Sequence, residues 1–275
     1  MNVNVIVIGG GPAGVITALT AKSVYPEKSV CVIKEIGDGV IPCAIPYMMH
    51  TLKDPKQNAM GNAPLEKAGI DIIEGNVVSF DPKAHSVTLE SGQALNYERL
   101  VLATGTEPVL PPLPGIEKEG VFTIRKSMSA MVELREKVHQ ARRVAIIGGG
   151  FIGAEFADEL SHEPKTDVHV IEVMPKILVT AFDDEFCDDV TEVLRSKGIH
   201  THCGNRVVSI DGKSQVESVT LDNGGKIQAD IVLVSIGAKP ASDLAQKAGL
   251  RIAEKGSIWV DEYMRTDAED VFAVG

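Results

Sequence analysis

Two sets of glycines carry the clearest chemical signal in this sequence. Gly9, Gly11 and Gly14 lie in NVIVIGGGPAG (4–14), and Gly148, Gly150 and Gly153 repeat the spacing in RVAIIGGGFIG (143–153). In such a G-x-G-x-x-G turn the first glycine permits the tight turn and the second lets backbone approach a pyrophosphate. The third lets the following helix pack on its strand, and the helix start attracts the anion. Pro12 suits a first helical turn that needs no N–H donor, and Ala13 and Ile152 complete the two motifs. An acid roughly 20 positions further on accepts from a ribose hydroxyl in such sites. Glu35 and Glu172 stand there, each ending a predicted strand. Glu172 repels a ribose phosphate and Lys176 is the only base near it, so the second site is expected to prefer NADH over NADPH.

Four cysteines, at 31, 43, 187 and 203, show neither CxxC spacing nor a secretory leader. A disulfide framework is therefore not expected, and a reducing cytoplasm is. Cys31 inside VCVIKE and Cys187 beside the apolar face of a helix over 183–197 read as inert core thiols. Cys43 opens the segment CAIPY (43–47). His200 and His202 of HTHC would share one face of a strand, with Cys203 on the other. No second ligand pair is adjacent in sequence, so no metal site is expected and solvent-facing histidines are. The absence of GxSxG, HExxH and P-loop lysine motifs argues against hydrolases and kinases.

The elements that must position these residues occur twice. The first copy runs from the glycine turn through VCVIKE (30–35) to RLVLATGTEP (99–108), and the second through VHVIE (168–172) to DIVLVSIGAKP (230–240), where Gly237 is the later turn glycine. VVSFD and SVTLE in one copy, VVSID and VESVTLD in the other, alternate with period two and predict small antiparallel hairpins. Phe186, Val190, Val193 and Leu194 give the 183–197 helix a predicted apolar face that stops at Gly198. Strands alternating with helices predict an α/β fold of two Rossmann-like, doubly wound parallel-sheet domains, each with a small antiparallel meander. The proline-rich stretch 108–120 is the expected linker, with a second crossing near Lys239–Ser242. A chain of 275 residues has room for about two such domains. Its formal charge of −11 and lack of a basic cluster argue against nucleic acid. Residues 1–21 carry no charge, but glycines and Pro12 interrupt the run, so a membrane span or signal peptide is not expected.

GGGPAG, Ala103-Thr104-Gly105, GGGFIGAE (148–155) and TDAEDVFAVG (266–275) resemble the FAD-dependent pyridine nucleotide-disulfide oxidoreductases over essentially the whole chain. The resemblance implies an FAD-binding domain over 1–112 and 243–275, with an NAD(P)H-binding domain over 113–242 inserted in it. CAIPY is similar to the single-cysteine segment of coenzyme A disulfide reductases, NADH oxidases and persulfide or polysulfide reductases. Pro42, Ala44 and Gly39 depart from the usual residues, and the two-cysteine motifs of other branches are missing. The resemblance also implies homodimers and a C-terminal dimerisation domain that these residues do not include, so the chain is expected to be a fragment.

That kinship implies that NADH reduces FAD across a cleft faced by both cradles, with Phe151 as a gate over the nicotinamide and Glu155 near the same pocket. Cys43, at the start of a helix whose dipole favours thiolate, then exchanges electrons with a small disulfide, persulfide, polysulfide or dioxygen. Tyr47 either orients the substrate sulfur or packs. Two other readings stay open. In one, flavin serves a protein carrier of ferredoxin or rubredoxin type and Cys43 is inert; in the other, the fragment binds nucleotides without turnover.

Overall fold

β-branched runs ending in glycine build the central strand of each sheet. The computed structural model describes residues 2–35, 37 and 39–275. In its first sheet, β1 (Asn2–Ile8) lies parallel between β2 (Val30–Lys34) and β6 (Ala94–Leu102). β3 (Asp71–Glu74) pairs with the far side of β2, and β17 (Val271–Ala273) returns late in the chain to pair with β6. All five residues of β2 are buried, as expected of a parallel strand covered on both faces. α1 (Pro12–Val24) lies over Val7, Val32 and Val101, and the other face packs Ile6, Ile33 and Leu100 against Phe80 and Leu95. The predicted hairpin forms from β4 (Val77–Asp81) and β5 (Ser86–Leu89), continued antiparallel onto β6. The Asp81 carboxylate fixes its turn by accepting from the Lys83 and Ala84 N–H groups.

The second sheet repeats the plan. β9 (Arg143–Ile147) is flanked in parallel by β10 (Asp167–Glu172) and β15 (Ile231–Val234). β11 (His200–Cys203) pairs with β10, and β8 (Val121–Thr123) with β15. The antiparallel meander comprises β12 (Val207–Asp211), β13 (Ser218–Leu221) and β14 (Lys226–Gln228). α3 (Met128–Gln140), α4 (Phe151–Ser161) and α5 (Asp184–Ser196) complete the unit. In both sheets the glycine-ended strand adjoins the point where strand order reverses, the usual ligand position in open α/β sheets.

Backbone contacts divide the chain into Met1–Ile41, Met60–Glu107 and Lys239–Gly275 in one unit and Pro42–Ala59 with Pro108–Ala238 in the other. The crossings carry the short strands β7 (Thr106–Pro108) and β16 (Ala238–Pro240). Relative to the expected bounds of 112 and 243 they come a few residues earlier. Residues 42–59, expected with the first domain, group with the second because their carbonyls find donors there.

The face of α5 is also corrected. Cys187 and Leu194 are its buried residues, whereas Phe186 and Val193 are exposed. A rotation of one residue keeps helical spacing while exchanging phenylalanine for cysteine, and Phe186 instead packs on Phe182 at 4.5 Å between ring centroids. Gly198, at φ +83°, ends the helix as expected. Among the described residues no helix is long and apolar enough to cross a membrane.

Phe156 of α4 is fully buried. Phe156→Ala is expected to destabilise the protein by about 3–5 kcal/mol, read as a lowered urea midpoint in far-ultraviolet circular dichroism; an unmoved midpoint contradicts this packing.

Candidate functional site

The first glycine turn is built by close approach. Gly9 holds φ +117°, and a Cβ there would overlap the Ala103 carbonyl oxygen. A Cβ on Gly14 would overlap the Gly9 carbonyl oxygen. Gly11, the N-cap of α1, has nothing within 4 Å of its would-be Cβ, no side chain caps the helix, and Pro12 occupies its first turn. The helix start is thus uncapped by any side chain and open at its middle glycine, the arrangement that leaves N–H donors for an anion. Ala103 donates its N–H to Ile8 O, Thr104 Oγ1 donates to Ala241 O at 2.6 Å, and the Gly105 carbonyl accepts from Ala241 N–H. A Cβ on Gly275 would lie 3.5 Å from the Ala13 Cβ, so the loop after β17 reaches the same turn.

The second turn repeats this geometry in its own unit. Gly148 holds φ +113° with its would-be Cβ 2.6 Å from Ser235 O, Gly153 packs on Gly148 O, and Gly150 faces open space as an uncapped N-cap. The Glu172 carboxylate accepts from Gly149 N–H at 2.6 Å and Met174 N–H at 2.8 Å, which fixes a negative charge at the end of β10. Phe151 is 54% exposed and meets Phe182 edge-on at 5.6 Å. Ile152 is exposed beside it. Glu155 stands one helical turn beyond Phe151, and desolvation by neighbouring protein raises its carboxyl above the ordinary range. Gly237, at φ +118°, accepts from Val109 N–H through its carbonyl.

The duplicated turns differ at the acid. Ile8 pairs with Ile33 in one sheet as Ile147 pairs with Ile171 in the other. The next residues are Lys34 and Glu172, so Lys34 holds the position equivalent to Glu172. Glu35 lies one residue further and is exposed. Lys34 is buried beneath Gly10 and donates from Nζ to Asn62 Oδ1 at 2.7 Å. Sequence spacing counted to an acid and so passed over the lysine; strand register locates it.

Cys43 is the exposed cysteine, whereas Cys31 and Cys187 are buried and Cys203 is half-buried. Burial, with Asp71 adding to it, pushes the Cys31 thiol up to about 11. Burial also raises Cys187 and Cys203. Cys43 does not start an α-helix as expected. It lies in a 3-10 turn, Pro42–Ala44, followed by a second, Pro46–Met48, that carries Tyr47. Pro46 has no N–H to donate to the Pro42 carbonyl, so Ile45 N–H closes the tighter turn instead. Tyr47 is 44% exposed.

A polar clamp that the sequence did not reveal holds this segment to the helices of its own unit. Arg135 Nη1 donates to the Met48 and Leu52 carbonyls at 2.8 and 2.7 Å, and His139 Nε2 lies 3.0 Å from Met49 O. The buried Glu159 carboxylate accepts from both the N–H and the hydroxyl of Thr51 at 2.8 Å. His50 Nδ1 sits 3.0 Å from Glu163 Oε1 and its ring stacks on His162. These partners are about 80 or more residues from the segment in sequence, beyond the reach of any local pattern.

The sequence pattern of the family described as pyridine nucleotide-disulphide oxidoreductase matches residues 3–275. An NAD(P)H sulfur oxidoreductase (CoA-dependent) of Pyrococcus abyssi is 35% identical over 280 residues, covering 98% of this chain and 61% of that protein. An NADH oxidase of Methanocaldococcus jannaschii is 33% identical over 289 residues, covering 98% of this chain and 62% of that protein. The solved structure of an NAD-dependent persulfide reductase from A. fulgidus matches with a TM-score of 0.92 at 34% identity, covering 100% of this chain and 53% of that one. The chain therefore spans about three fifths of the length of these two relatives and about half of the solved one.

Glu163 makes the clamp sensitive to acid. The hydrogen bond with His50 chiefly holds its carboxyl below the ordinary range; burial opposes this, while the charges of His139, His50 and Arg135 assist. A depressed carboxylate stabilises fully above its unfolded pKa, about 4.3, and that contribution is lost as pH falls through the lower folded value. Hydrogen exchange of the 42–59 amides, corrected for intrinsic rate, is expected to quicken below about pH 4. Glu163→Gln should already be faster at neutral pH with a flatter profile, and an unchanged profile would remove Glu163 from the clamp.

Proposed function

Since the chain belongs to the pyridine nucleotide-disulphide oxidoreductase family, we propose that it serves an FAD-dependent NADH oxidoreductase that reduces a small persulfide, polysulfide or disulfide, or dioxygen, through Cys43. The observation that carries this reading is the pair of glycine turns whose middle glycines face open space at uncapped helix starts. Both turns fit a nucleotide diphosphate, because the only room a side chain would find at Gly11 or Gly150 is the room the anion needs.

In this reading FAD is held at the first turn by Gly9, Gly11, Pro12, Ala13 and Gly14, with Ala103, Thr104 and Gly105 in the adjoining loop and Glu35 toward the ribose. Lys34 adds a basic group under the same turn. Bound flavin supplies a two-electron acceptor for hydride. NADH is held at the second turn by Gly148, Gly150, Ile152 and Gly153, with Gly237 in the adjoining loop. The fixed Glu172 carboxylate accepts from ribose hydroxyls and repels the extra phosphate of NADPH. Phe151 and Glu155, on one face of α4, gate and line the nicotinamide pocket.

Cys43 as thiolate would attack the outer sulfur of a persulfide, forming an S–S bond while the bond between the two substrate sulfurs breaks and the inner sulfur leaves as a thiolate that takes a proton from water. The two electrons and one proton that NADH supplies would then cleave the new S–S bond, returning the Cys43 thiolate and releasing hydrogen sulfide. Tyr47, on the following turn, orients the substrate sulfur with its hydroxyl. The buried thiols of Cys31 and Cys187 take no part. We place the protein in the cytoplasm; the four free cysteines support a reducing compartment.

Anaerobic NADH titration of the flavin-loaded protein tests the role of Cys43. A long-wavelength thiolate-to-flavin absorption band is expected in the wild type and should vanish in Cys43→Ser, together with sulfur reduction. Identical bleaching in both, with turnover preserved, would move the electrons to a protein carrier and leave Cys43 inert. The second turn is tested separately, because a Cβ at Gly150 meets no protein atom within 4 Å. Gly150→Ala should fold with an unchanged thermal midpoint yet raise the KM for NADH about tenfold, equivalent to about 1.4 kcal/mol. An unaffected KM would count against a diphosphate at that turn.

A further inference from the structure

Parallel pairing of β10 and β11 gathers four residues that are dispersed in sequence. His169 registers opposite His200. Strand alternation puts Asp167 beside His169 on one face of β10, and His200 beside His202 on one face of β11. Asp167 Oδ2 lies 3.1 Å from His169 Nε2, and Asp167 Oδ1 lies 3.2 Å from His200 Nε2. The rings of His169 and His200 stack at 4.7 Å with 19° between their planes. Donor atoms of these three residues all lie within 4.8 Å of one another.

We propose that Asp167, His169 and His200 bind a first-row divalent cation, of which Zn²⁺ is the best match, with water completing its coordination. Two imidazole nitrogens and a carboxylate oxygen form a donor set suited to zinc. Zinc–ligand bonds of about 2.0–2.2 Å put neighbouring ligand atoms of a tetrahedron about 3.3 Å apart; each imidazole already lies about that far from one of the two Asp167 oxygens, and the three donors draw together from within 4.8 Å.

His202 supplies the outer support that such ligands need. Its Nε2 is 3.0 Å from His169 Nδ1; accepting that N–H leaves His169 Nε2 to the cation and fixes the ring. The His169 side chain is 16% exposed and held, whereas those of Asp167 and His200 are 46% and 58% exposed, so a cation reaches the site from solvent. Cys203 registers against Glu172 and takes the opposite face of β11, outside the donor set.

The site lies at the start of β10, whereas Glu172 ends that strand about 10 Å from His169 and about 16 Å from Asp167 at 3.3 Å per residue. Cation binding therefore clips the edge strand to its neighbour and is independent of the nucleotide turn and of the activity proposed above.

Titration of the whole chain with Zn²⁺ by calorimetry, and with Co²⁺ by visible spectroscopy, tests this. One cation per chain is expected, with Co²⁺ bands typical of nitrogen and oxygen ligands. Binding should disappear in His169→Ala, His200→Ala and Asp167→Asn, the last two at exposed positions where folding is readily retained and verified by circular dichroism. It should weaken about 10- to 100-fold in His202→Ala and persist in Cys43→Ser and Cys203→Ser. No saturable uptake, uptake unchanged in the three ligand variants, or a thiolate-to-cobalt band lost with Cys43→Ser would each overturn the site.

Discussion

The architecture depends on one steric constraint, the approach of a helix to its strand so close that no Cβ fits between them. A side chain at Gly14 would overlap Gly9 O, and one at Gly153 would overlap Gly148 O. Glycine within a helix costs about 0.5–1 kcal/mol relative to alanine, and the glycine N-caps Gly11 and Gly150, which offer no side-chain acceptor, forgo roughly a few tenths of a kcal/mol more. An uncapped helix start leaves donors of the kind an anion satisfies, so the same local feature that weakens the helix start suits it to an anion.

The two copies share this constraint and differ in charge. At the end of β2 the equivalent position holds Lys34, drawn inward by Asn62, whereas at the end of β10 it holds Glu172, pinned by two N–H groups of its surroundings. Two similar turns thus differ in the charge beside them, a lysine drawn inward at one and a carboxylate fixed by backbone N–H groups at the other.

Cys43 depends on another kind of support. Prolines 42 and 46 break its segment into short 3-10 turns that pair their own carbonyls, and the Met48 and Leu52 carbonyls beyond them take donors from elsewhere. Arg135 supplies these donors from α3, and Glu159 secures Thr51 from α4. Charged hydrogen bonds thus anchor the segment beyond its own short turns, and Cys43 is exposed while Cys31 and Cys187 are buried.

The sequence by itself determined whatever is encoded within a few residues. The glycine turns, the period-two hairpins, the stop of α5 at Gly198 and the duplicated strand–helix order all follow from local spacing, because backbone sterics and side-chain alternation act over one or two turns. Tertiary structure alone decided matters of register and distant pairing. It turned α5 by one residue onto Cys187, put Lys34 rather than Glu35 at the position equivalent to Glu172, assigned 42–59 to the second unit, and brought Asp167 and His169 beside His200 and His202. A one-residue shift leaves a hydrophobic pattern almost unchanged yet exchanges which side chain is buried, and partners about 30 to 110 residues apart meet only once the sheets and helices have packed.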